Sequence, residues 1–258
     1  MWFLLLPVAG ALALGCAAAS PPPMELAEIP SAEELYAEAS AILNEPRGML
    51  GVDLTDYQAA IDRFQDVVDN YPYSELATLA ELRIGDAYFQ QERWEESLTY
   101  YRDFADLHPN HEKVPYALLR TALAHYNQTH AANRDQTPTR RALAALDEVI
   151  TRHPYSPEAN EAERLWRELR TRLGKSVMAV GDYYLESREF QSAAERYRAV
   201  LNDYPGLGLD AKALYSLGVC YRNMNRSEEA THLFQVILEN YRGSEVAKAA
   251  EGLIPAAN

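Results

Sequence analysis

The stretch "GDAYFQQERWEESLTYYRDFADLHP", Gly85–Pro109, decides the fold, because its spacing of small, aromatic and apolar residues recurs further along the chain. With Gly85 numbered as position 8, small residues fall at 8 and 20, aromatic residues at 11 and 24, an apolar residue at 27 and proline at 32. Two later stretches hold comparable residues at the same positions: Gly181, Tyr184, Ala193, Tyr197, Val200 and Pro205, then Gly218, Tyr221, Ala230, Phe234 and Ile237, with Arg242 in place of proline. Three units in one register predict a repeated structure.

This spacing is typical of the tetratricopeptide (TPR) repeat, in which each unit is a pair of helices. Small residues at positions 8 and 20 let the two helices approach closely, and large residues at 24 and 27 fill the space between them. Proline at 32 ends the second helix because its ring clashes with the preceding turn and it lacks an N–H. Ser74, two places beyond Pro72, and Asn110, directly after Pro109, are suited to cap the helices that follow them. Since one pair cannot bury its apolar face alone, the pattern predicts an all-α, TPR-like helix-pair solenoid.

About five repeats fit the chain. The first and third are irregular, with first helices predicted at Ser31–Asn44 and Lys113–Gln128, and an insertion at Glu45–Asp56. The fourth has an extended first helix, roughly Pro157–Ser187, in which Gly174 allows a bend. The predicted TPR-like domain covers 31–258, with repeats near 31–72, 74–109, 112–154, 157–205 and 210–242.

The N-terminal segment "MWFLLLPVAGALALGC" is apolar and contains no acidic residue, as in an export signal. It is shorter than the roughly 20 residues that a membrane-spanning helix needs. Because "ALGC" at Ala13–Cys16 is similar to a bacterial lipobox, we expect a signal peptide at 1–15, lipidation of Cys16, and a lipid anchor and Pro-rich tether at 16–30. In many bacteria, lipoproteins retained in the inner membrane have Asp directly after the lipidated cysteine. Ala17 occupies that position here and by analogy favours the periplasmic face of the outer membrane. The alternative is a plain signal peptide with an incidental cysteine, and Cys220 is expected to be a buried structural residue.

Charge and motifs exclude several functions. The chain of 258 residues has a formal net charge of −14, which repels phosphate backbones and disfavours nucleic acid as a partner. No nucleophile, phosphate-binding or dinucleotide motif is present, and the cysteines lack metal-ligand spacing. His108 and His111 flank the helix-ending Pro109 and are interpreted as repeat-boundary residues. We therefore expect no catalytic residue, no metal site, no cofactor and no enzymatic activity.

The first helices of TPR units line a binding face, chiefly through positions 2, 5, 9, 12 and 13. In the second and third units these positions are rich in leucine and aromatic residues, which predicts an apolar peptide groove. The alternative is that some of these side chains only pack against neighbouring helices. The candidate groove residues are Leu79, Leu82, Phe89, Tyr116, Leu119 and Tyr126.

The segment Arg134–Pro205 resembles the BamD family of TPR lipoproteins of the outer-membrane β-barrel assembly machine. The resemblance includes "RDQTP", "YS" after the proline, the arginine-rich "LWRELRTRLGK" and "YY" before "AAERYRAVLNDYP", and it extends over most of the chain after Ala32. It implies a scaffold that receives unfolded outer-membrane protein precursors in its N-terminal repeats and binds a POTRA-containing barrel subunit through its C-terminal repeats. It also implies contacts with other assembly-machine lipoproteins. Arg196 matches the family's arginine that pairs with a carboxylate on the POTRA domain.

Two other functions remain open at this point. A periplasmic TPR cell-envelope coordinator of the Tol-Pal-associated type shares the "YP-x-S" feature, although such proteins usually have more regular repeats. A lytic enzyme of the envelope is the other alternative, and no residue pattern supports its active site.

Overall fold

A computed structural model describes residues 29–44, 48, 49, 52, 53, 55–129 and 135–254 of the chain. The chain divides into two compact units, Met1–Ser31 and Ala32–Asn258, and every described helix lies in the second. The predicted signal peptide at 1–15 and the lipidation site Cys16 lie outside the described residues, as does most of the tether at 16–30.

The described part of the second unit is an array of antiparallel helix pairs. The elements are α1 (Ala32–Asn44), β1 (Gly48–Met49), β2 (Val52–Asp53), α2 (Tyr57–Asn70), α3 (Glu75–Gln90), α4 (Trp94–Leu107), α5 (Val114–Asn127), α6 (Thr137–Arg152), α7 (Pro157–Glu186), α8 (Phe190–Asp203), α9 (Asp210–Asn223), α10 (Ser227–Asn240) and α11 (Glu245–Glu251). Each helix packs against the next one in the chain, so α1 to α10 form five pairs. The predicted five-repeat, TPR-like architecture is confirmed. Inside the predicted insertion, the described strands β1 and β2 add a small antiparallel hairpin.

The turn between α2 and α3 explains the sequence Tyr-Pro-Tyr-Ser at 71–74, of which variants ending in serine recur at 153–156 and 241–244. Helix α2 ends at Asn70, and the backbone N–H of Ser74 donates to the carbonyl of Tyr71 at 2.9 Å, closing a tight turn around Pro72. The Ser74 hydroxyl accepts a hydrogen bond from the backbone N–H of Ala77 at 3.1 Å. The motif therefore ends one helix and caps the next, as predicted.

The same serine cap recurs at α7 and α11. Ser156 and Ser244 each accept a hydrogen bond at 3.1 Å from the backbone N–H three residues on. Before α11, α10 ends at Asn240 although Arg242 replaces proline, and Gly243 has a φ of +80°. A glycine in the left-handed region thus allows the turn where proline is missing.

The cap predicted for α5 is wrong. Helix α5 begins without a side-chain cap, so Asn110 does not serve in that role. Instead, the ring Nδ1 of His111 accepts a hydrogen bond from the backbone N–H of Lys113 at 3.0 Å. A longer spacer after Pro109 replaces the shorter turn seen before α3, which moves the asparagine out of capping position.

Glycine at position 8 lets the two helices of a pair touch. If this glycine were alanine, its Cβ would lie 2.6–3.0 Å from the aromatic ring at position 24. Carbon atoms do not approach this closely without displacing one another, so a methyl group at this position would require the aromatic ring to shift. The pairs in contact are Gly85 with Tyr101, Gly181 with Tyr197, and Gly218 with Phe234.

Helix α7 is 30 residues long and continues through Gly174, which confirms the extended helix of the fourth unit. A Cβ at Gly174 would lie 2.6 Å from Cδ1 of Leu209 and 3.3 Å from Cβ of Tyr204. The glycine therefore admits the segment that follows α8. On the same helix, Arg170 stacks on the rings of Trp166 and Tyr204 and tightens this contact.

The core consists of side chains between the helix pairs. The largest side chains that are fully buried include Tyr101, Tyr197, Phe64, Phe104 and Phe234. Helix α11 was not predicted, and its Ala247 and Ala250 are buried against the last pair. Among the described helices, none has the length and apolar character required to cross a membrane.

Candidate functional site

The six residues predicted to line a groove fall into two groups. Leu82 and Leu119 are only 4% and 5% exposed and belong to the core between α3, α4 and α5, so for them the alternative of helix packing applies. The other four are half-buried and reach a surface that we call the first-helix surface: Leu79, Phe89, Tyr116 and Tyr126.

A buried polar cluster lies directly beneath this surface. The hydroxyl groups of Tyr101 and Tyr116 both donate to Oδ1 of Asp86, each at 2.8 Å. Arg83 donates to Oδ2 of Asp86 at 3.2 Å, and Nε of Arg120 lies 3.5 Å from Oδ1. We call these five residues the Asp86 cluster. It joins three helices, α3, α4 and α5, through one carboxylate that is 7% exposed as a residue.

The cluster also shapes the aromatic part of the surface. The guanidinium of Arg120 lies 3.7 Å from the centroid of the Phe89 ring, and the ring of Trp94 meets Phe89 edge-on at 5.1 Å. The Arg120 side chain is 16% exposed, so its charge is compensated mainly by Asp86 and by the aromatic face. The first-helix surface is consequently an aromatic patch with a cation at its base, whereas the sequence predicted an apolar peptide groove.

The tyrosines of the cluster are held in their neutral form. Burial, together with the carboxylate of Asp86, raises the pKa of Tyr101 and of Tyr116 above the ordinary value of 10.0. A neutral hydroxyl can donate a hydrogen bond to Asp86, and a phenolate cannot. These tyrosines therefore position the carboxylate rather than act as bases.

The fourth and fifth units repeat this arrangement in a more exposed form. Tyr197 donates to Oδ1 of Asp182 at 2.8 Å, and Nζ of Lys212 lies 3.1 Å from Oδ2. Asp182 and Asp86 both occupy position 9, and Tyr197 and Tyr101 both occupy position 24. The Asp182 side chain is 37% exposed, against 10% for Asp86. One repeat motif thus builds a buried network at one place and a solvated one at another.

Sequence reasoning missed Arg120. The signal was a single charged residue in the otherwise apolar helix segment "YALLRTALA", Tyr116–Ala124. An arginine in such a segment requires a buried partner, because unpaired charges are rarely buried. The partner was Asp86, which lies one helix pair earlier and could not be assigned without the packing of α3 on α5.

Tyr126 connects the first-helix surface with α7. Its hydroxyl donates to Oε1 of Glu168 at 2.7 Å, and Glu168 also pairs with Nη2 of Arg172 at 3.2 Å. Arg172 in turn donates to Oγ1 of Thr129 at 2.8 Å. The end of α5 is therefore tied to the middle of α7.

A separate cleft of about 610 Å³ lies on α4, α5 and α6. His125 lines it, 8% exposed, and its Nε2 accepts a hydrogen bond from Arg102 at 3.1 Å. Burial lowers the pKa of His125 below 6.5, and the charges of Arg102 and Arg141 lower it further. The cleft walls carry both signs of charge, because Glu95 and Arg141 both line it.

Arg196 lies exposed on α8, the second helix of the fourth pair. It makes no ion pair with any other described residue. Its guanidinium is therefore available to a partner from outside the chain. Cys16, the predicted lipidation site, lies outside the described residues.

Histidine and acidic side chains form no metal-binding group of three or more within the described ranges. His108 lies 3.5 Å from Glu81 and packs its ring on Phe104, and His111 contacts the same ring. Both histidines thus contribute to the boundary between the second and third pairs.

Comparison with known proteins identifies one family. The family model described as "YfiO: Outer membrane lipoprotein" matches residues 32–251. The chain is 28% identical over 209 residues to an outer membrane protein assembly factor BamD of Caulobacter vibrioides, covering 81% of this chain and 68% of that protein. It is 26% identical over 221 residues to the protein of the same name from Neisseria gonorrhoeae, covering 82% and 79%.

Solved structures give a more distant likeness. The TPR2AB domain of yeast Sti1, in its complex with pHSP90, matches with a TM-score of 0.45 and 11% identity, covering 85% of this chain and 81% of that one. A TPR protein of Thermus thermophilus matches with a TM-score of 0.36 and 15% identity, covering 86% and 98%.

Proposed function

The chain belongs to the YfiO family of outer membrane lipoproteins, and we propose that it acts as a lipid-anchored scaffold in the assembly of outer-membrane β-barrel proteins. The observation that carries this proposal is the extent of the family match, which runs from the first residue of α1 to the last residue of α11. The relatives named as assembly factors cover most of the chain as well. A helix-pair array offers binding faces, and such a role requires no catalytic centre.

The complex in which the scaffold acts is the first point to test. Full-length chain would be purified from its own membranes in mild detergent, and the co-purifying proteins identified by mass spectrometry. We expect a barrel subunit that carries POTRA domains. Recovery of Tol-Pal components without a barrel subunit would instead favour the cell-envelope coordinator.

The first-helix surface is the proposed site for unfolded precursors. Phe89, Tyr116 and Tyr126 supply aromatic faces, which bind aromatic or apolar segments by burying area at about 25 cal/mol per Å². Ordering an unfolded segment costs conformational entropy and weakens its binding. A contact of this kind therefore suits transient binding of an unfolded precursor.

A peptide ending in phenylalanine, compared with one ending in alanine, tests this site. Phe89→Ser is expected to lower the affinity for the first peptide by about tenfold or more, as for the loss of an aromatic anchor. Tyr155→Ser is the matched control, because Tyr155 is a fully exposed aromatic residue on the turn before α7. Equal affinity of both variants for both peptides would contradict the assignment.

The proposed contact with a POTRA domain centres on Arg196. An exposed guanidinium on α8 can pair with a carboxylate of the partner, and such a pair mainly affects the rate and specificity of association. Arg196→Glu is expected to weaken co-purification of the barrel subunit while the unfolding curve stays unchanged. Arg140→Glu, on the exposed face of α6, is the control, and an equal loss in both variants would remove Arg196 from the interface.

The proposed anchor is tested at the cysteines. Metabolic labelling with a palmitate analogue is expected to mark the unaltered chain and Cys220→Ser, and to miss Cys16→Ser. Cys220 is fully buried, which makes it a suitable control. Labelling that persists in Cys16→Ser would place the acyl group elsewhere.

A further inference from the structure

The middle of α7 carries a basic stripe in a chain that is otherwise acidic. The segment Arg164–Lys175 has five basic residues and one acidic residue, whereas the whole chain has a net charge of −14. A surface groove of about 490 Å³ runs along this part of the helix. The basic stripe consists of the groove-lining residues Arg164, Arg167, Thr171, Arg172 and Lys175, with Glu168 among them.

The spacing of the stripe places these side chains on one face. Residues separated by three, four, seven, eight and eleven positions lie along one side of a helix, and the distance from the first to the last is about 16 Å at 1.5 Å per residue. Arg170 is not part of the stripe, because it stacks on Trp166 and donates to the carbonyl of Asp203. The arginines of α7 thus divide into one that holds α8 in place and several that face the groove.

Two of the four basic side chains in the stripe are not compensated by any residue that the structure describes. Arg167 and Lys175 are exposed, and neither makes an ion pair with another residue of the part that the structure describes. Glu168, the one carboxylate among the described residues that line the groove, is already bound by Tyr126 and Arg172. Arg164 pairs with Glu161 at 3.7 Å, but its side chain is 65% exposed, so this pair is weak.

We propose that the basic stripe of α7 is a docking site for an acidic, extended segment of a partner protein. An acidic partner is favoured because its negative charges complement the positive charge of the stripe. The choice of a polypeptide segment rests on the shape of the stripe, which is a single row of α7 side chains about 16 Å long that an extended chain can follow. This site adjoins the first-helix surface, because Tyr126 of that surface donates to Glu168 in the groove. The proposal nevertheless requires no ligand at the first-helix surface or at Arg196.

The test uses the full-length chain in detergent and a fluorescein-labelled peptide in which glutamate alternates with serine. About eight residues suffice to cover the stripe at roughly 3.3 Å per residue with short overhangs. Binding is followed by fluorescence anisotropy. The same peptide with glutamine in place of glutamate is the comparison, and we expect it to bind at least about tenfold more weakly.

Charge reversal then locates the site. Arg167→Glu combined with Lys175→Glu is expected to weaken binding of the acidic peptide by at least about tenfold, because two attractive charges become repulsive. Arg222→Glu combined with Arg242→Glu is the matched control, with the same change in net charge on two exposed arginines outside the groove. It is expected to change the affinity by less than about twofold. Arg167→Lys should retain binding, and far-UV circular dichroism checks that every variant is folded.

Three results would overturn the proposal. One is equal loss of affinity in the two charge-reversal variants, since only overall charge would then matter. Another is equal binding of the glutamate and glutamine peptides. The third is an outcome in which vesicles of phosphatidylcholine with phosphatidylglycerol bind through Arg167 and Lys175 while the acidic peptide does not, which would assign the stripe to a membrane surface.

Discussion

Replacement of Asp86 by alanine should destabilise the chain much more than the same replacement of Asp182, although both occupy position 9 of their repeats. Without Asp86, the hydroxyls of Tyr101 and Tyr116 lose their acceptor, and the guanidinium of Arg120 keeps no carboxylate beside it among the described residues. Removing one partner of a buried ion pair costs about 3–5 kcal/mol. We expect the free energy of unfolding to fall by about this amount in Asp86→Ala.

Asp182→Ala is the matched comparison. The Asp182 side chain is 37% exposed and that of Lys212 is 60% exposed. Water therefore solvates the ammonium group of Lys212 when its ion pair with Asp182 is lost. The loss of the hydrogen bond from Tyr197 is then the main cost of Asp182→Ala, and we expect the free energy of unfolding to fall by about 1–2 kcal/mol. The two variants should therefore differ by about 2 kcal/mol.

Urea unfolding, followed by far-UV circular dichroism, measures both losses. Repeat arrays can unfold in parts, so the slope of the transition must stay equal among the variants before the free energies are compared. Asp86→Asn should recover part of the loss, because its amide oxygen still accepts one hydrogen bond. If the two alanine variants lost equal stability, burial would not be what distinguishes the two networks.

Three further changes test separate parts of the fold. Gly218→Ala places a Cβ 2.6 Å from the Phe234 ring. Despite the better helix propensity of alanine, we expect the free energy of unfolding in urea to fall by about 1 kcal/mol. An increase in that free energy would mean that the ring moves freely. The pKa of His125 is lowered in the fold, so its neutral form contributes stability that is present above pH 6.5 and is lost as the pH falls below it. His125→Gln should flatten this dependence between about pH 7 and about pH 5, and an unchanged pH profile would exclude His125 as its origin. Burial raises the pKa of Cys220 to about 11, so iodoacetamide should label it in urea and not in the folded chain, and rapid labelling of the folded chain would contradict its burial.

Much of the fold follows from local rules that the sequence displays directly. Glycine at position 8 faces an aromatic ring because the two lie at a fixed separation within one helix pair, and the serine after Tyr-Pro caps the next helix within four residues. Both contacts join residues close in the chain, so spacing alone predicts them. The turn after α10 could not be predicted in the same way, because Gly243 takes over the role of the missing proline.

The site was harder to predict because several of its contacts join different repeats. Leu82 and Leu119 occupy position 5, which the pattern assigned to the groove, yet in this chain they pack against the neighbouring helices. In the Asp86 cluster, Tyr101 lies 15 residues from Asp86 within the same repeat, but Tyr116 and Arg120 reach Asp86 from the next repeat. A pattern confined to one repeat contains no information about the contacts of Tyr116 and Arg120.

The short helix α11 has a consequence for how the chain behaves at high concentration. Solenoids whose last unit is uncovered can join another copy end to end, since the exposed apolar edge resembles the one that each internal unit offers its neighbour. Here Ala247 and Ala250 close that edge, and Glu245, Lys248 and Glu251 turn a hydrated rim outward. We expect this covered edge to disfavour end-to-end association through the last described helix pair.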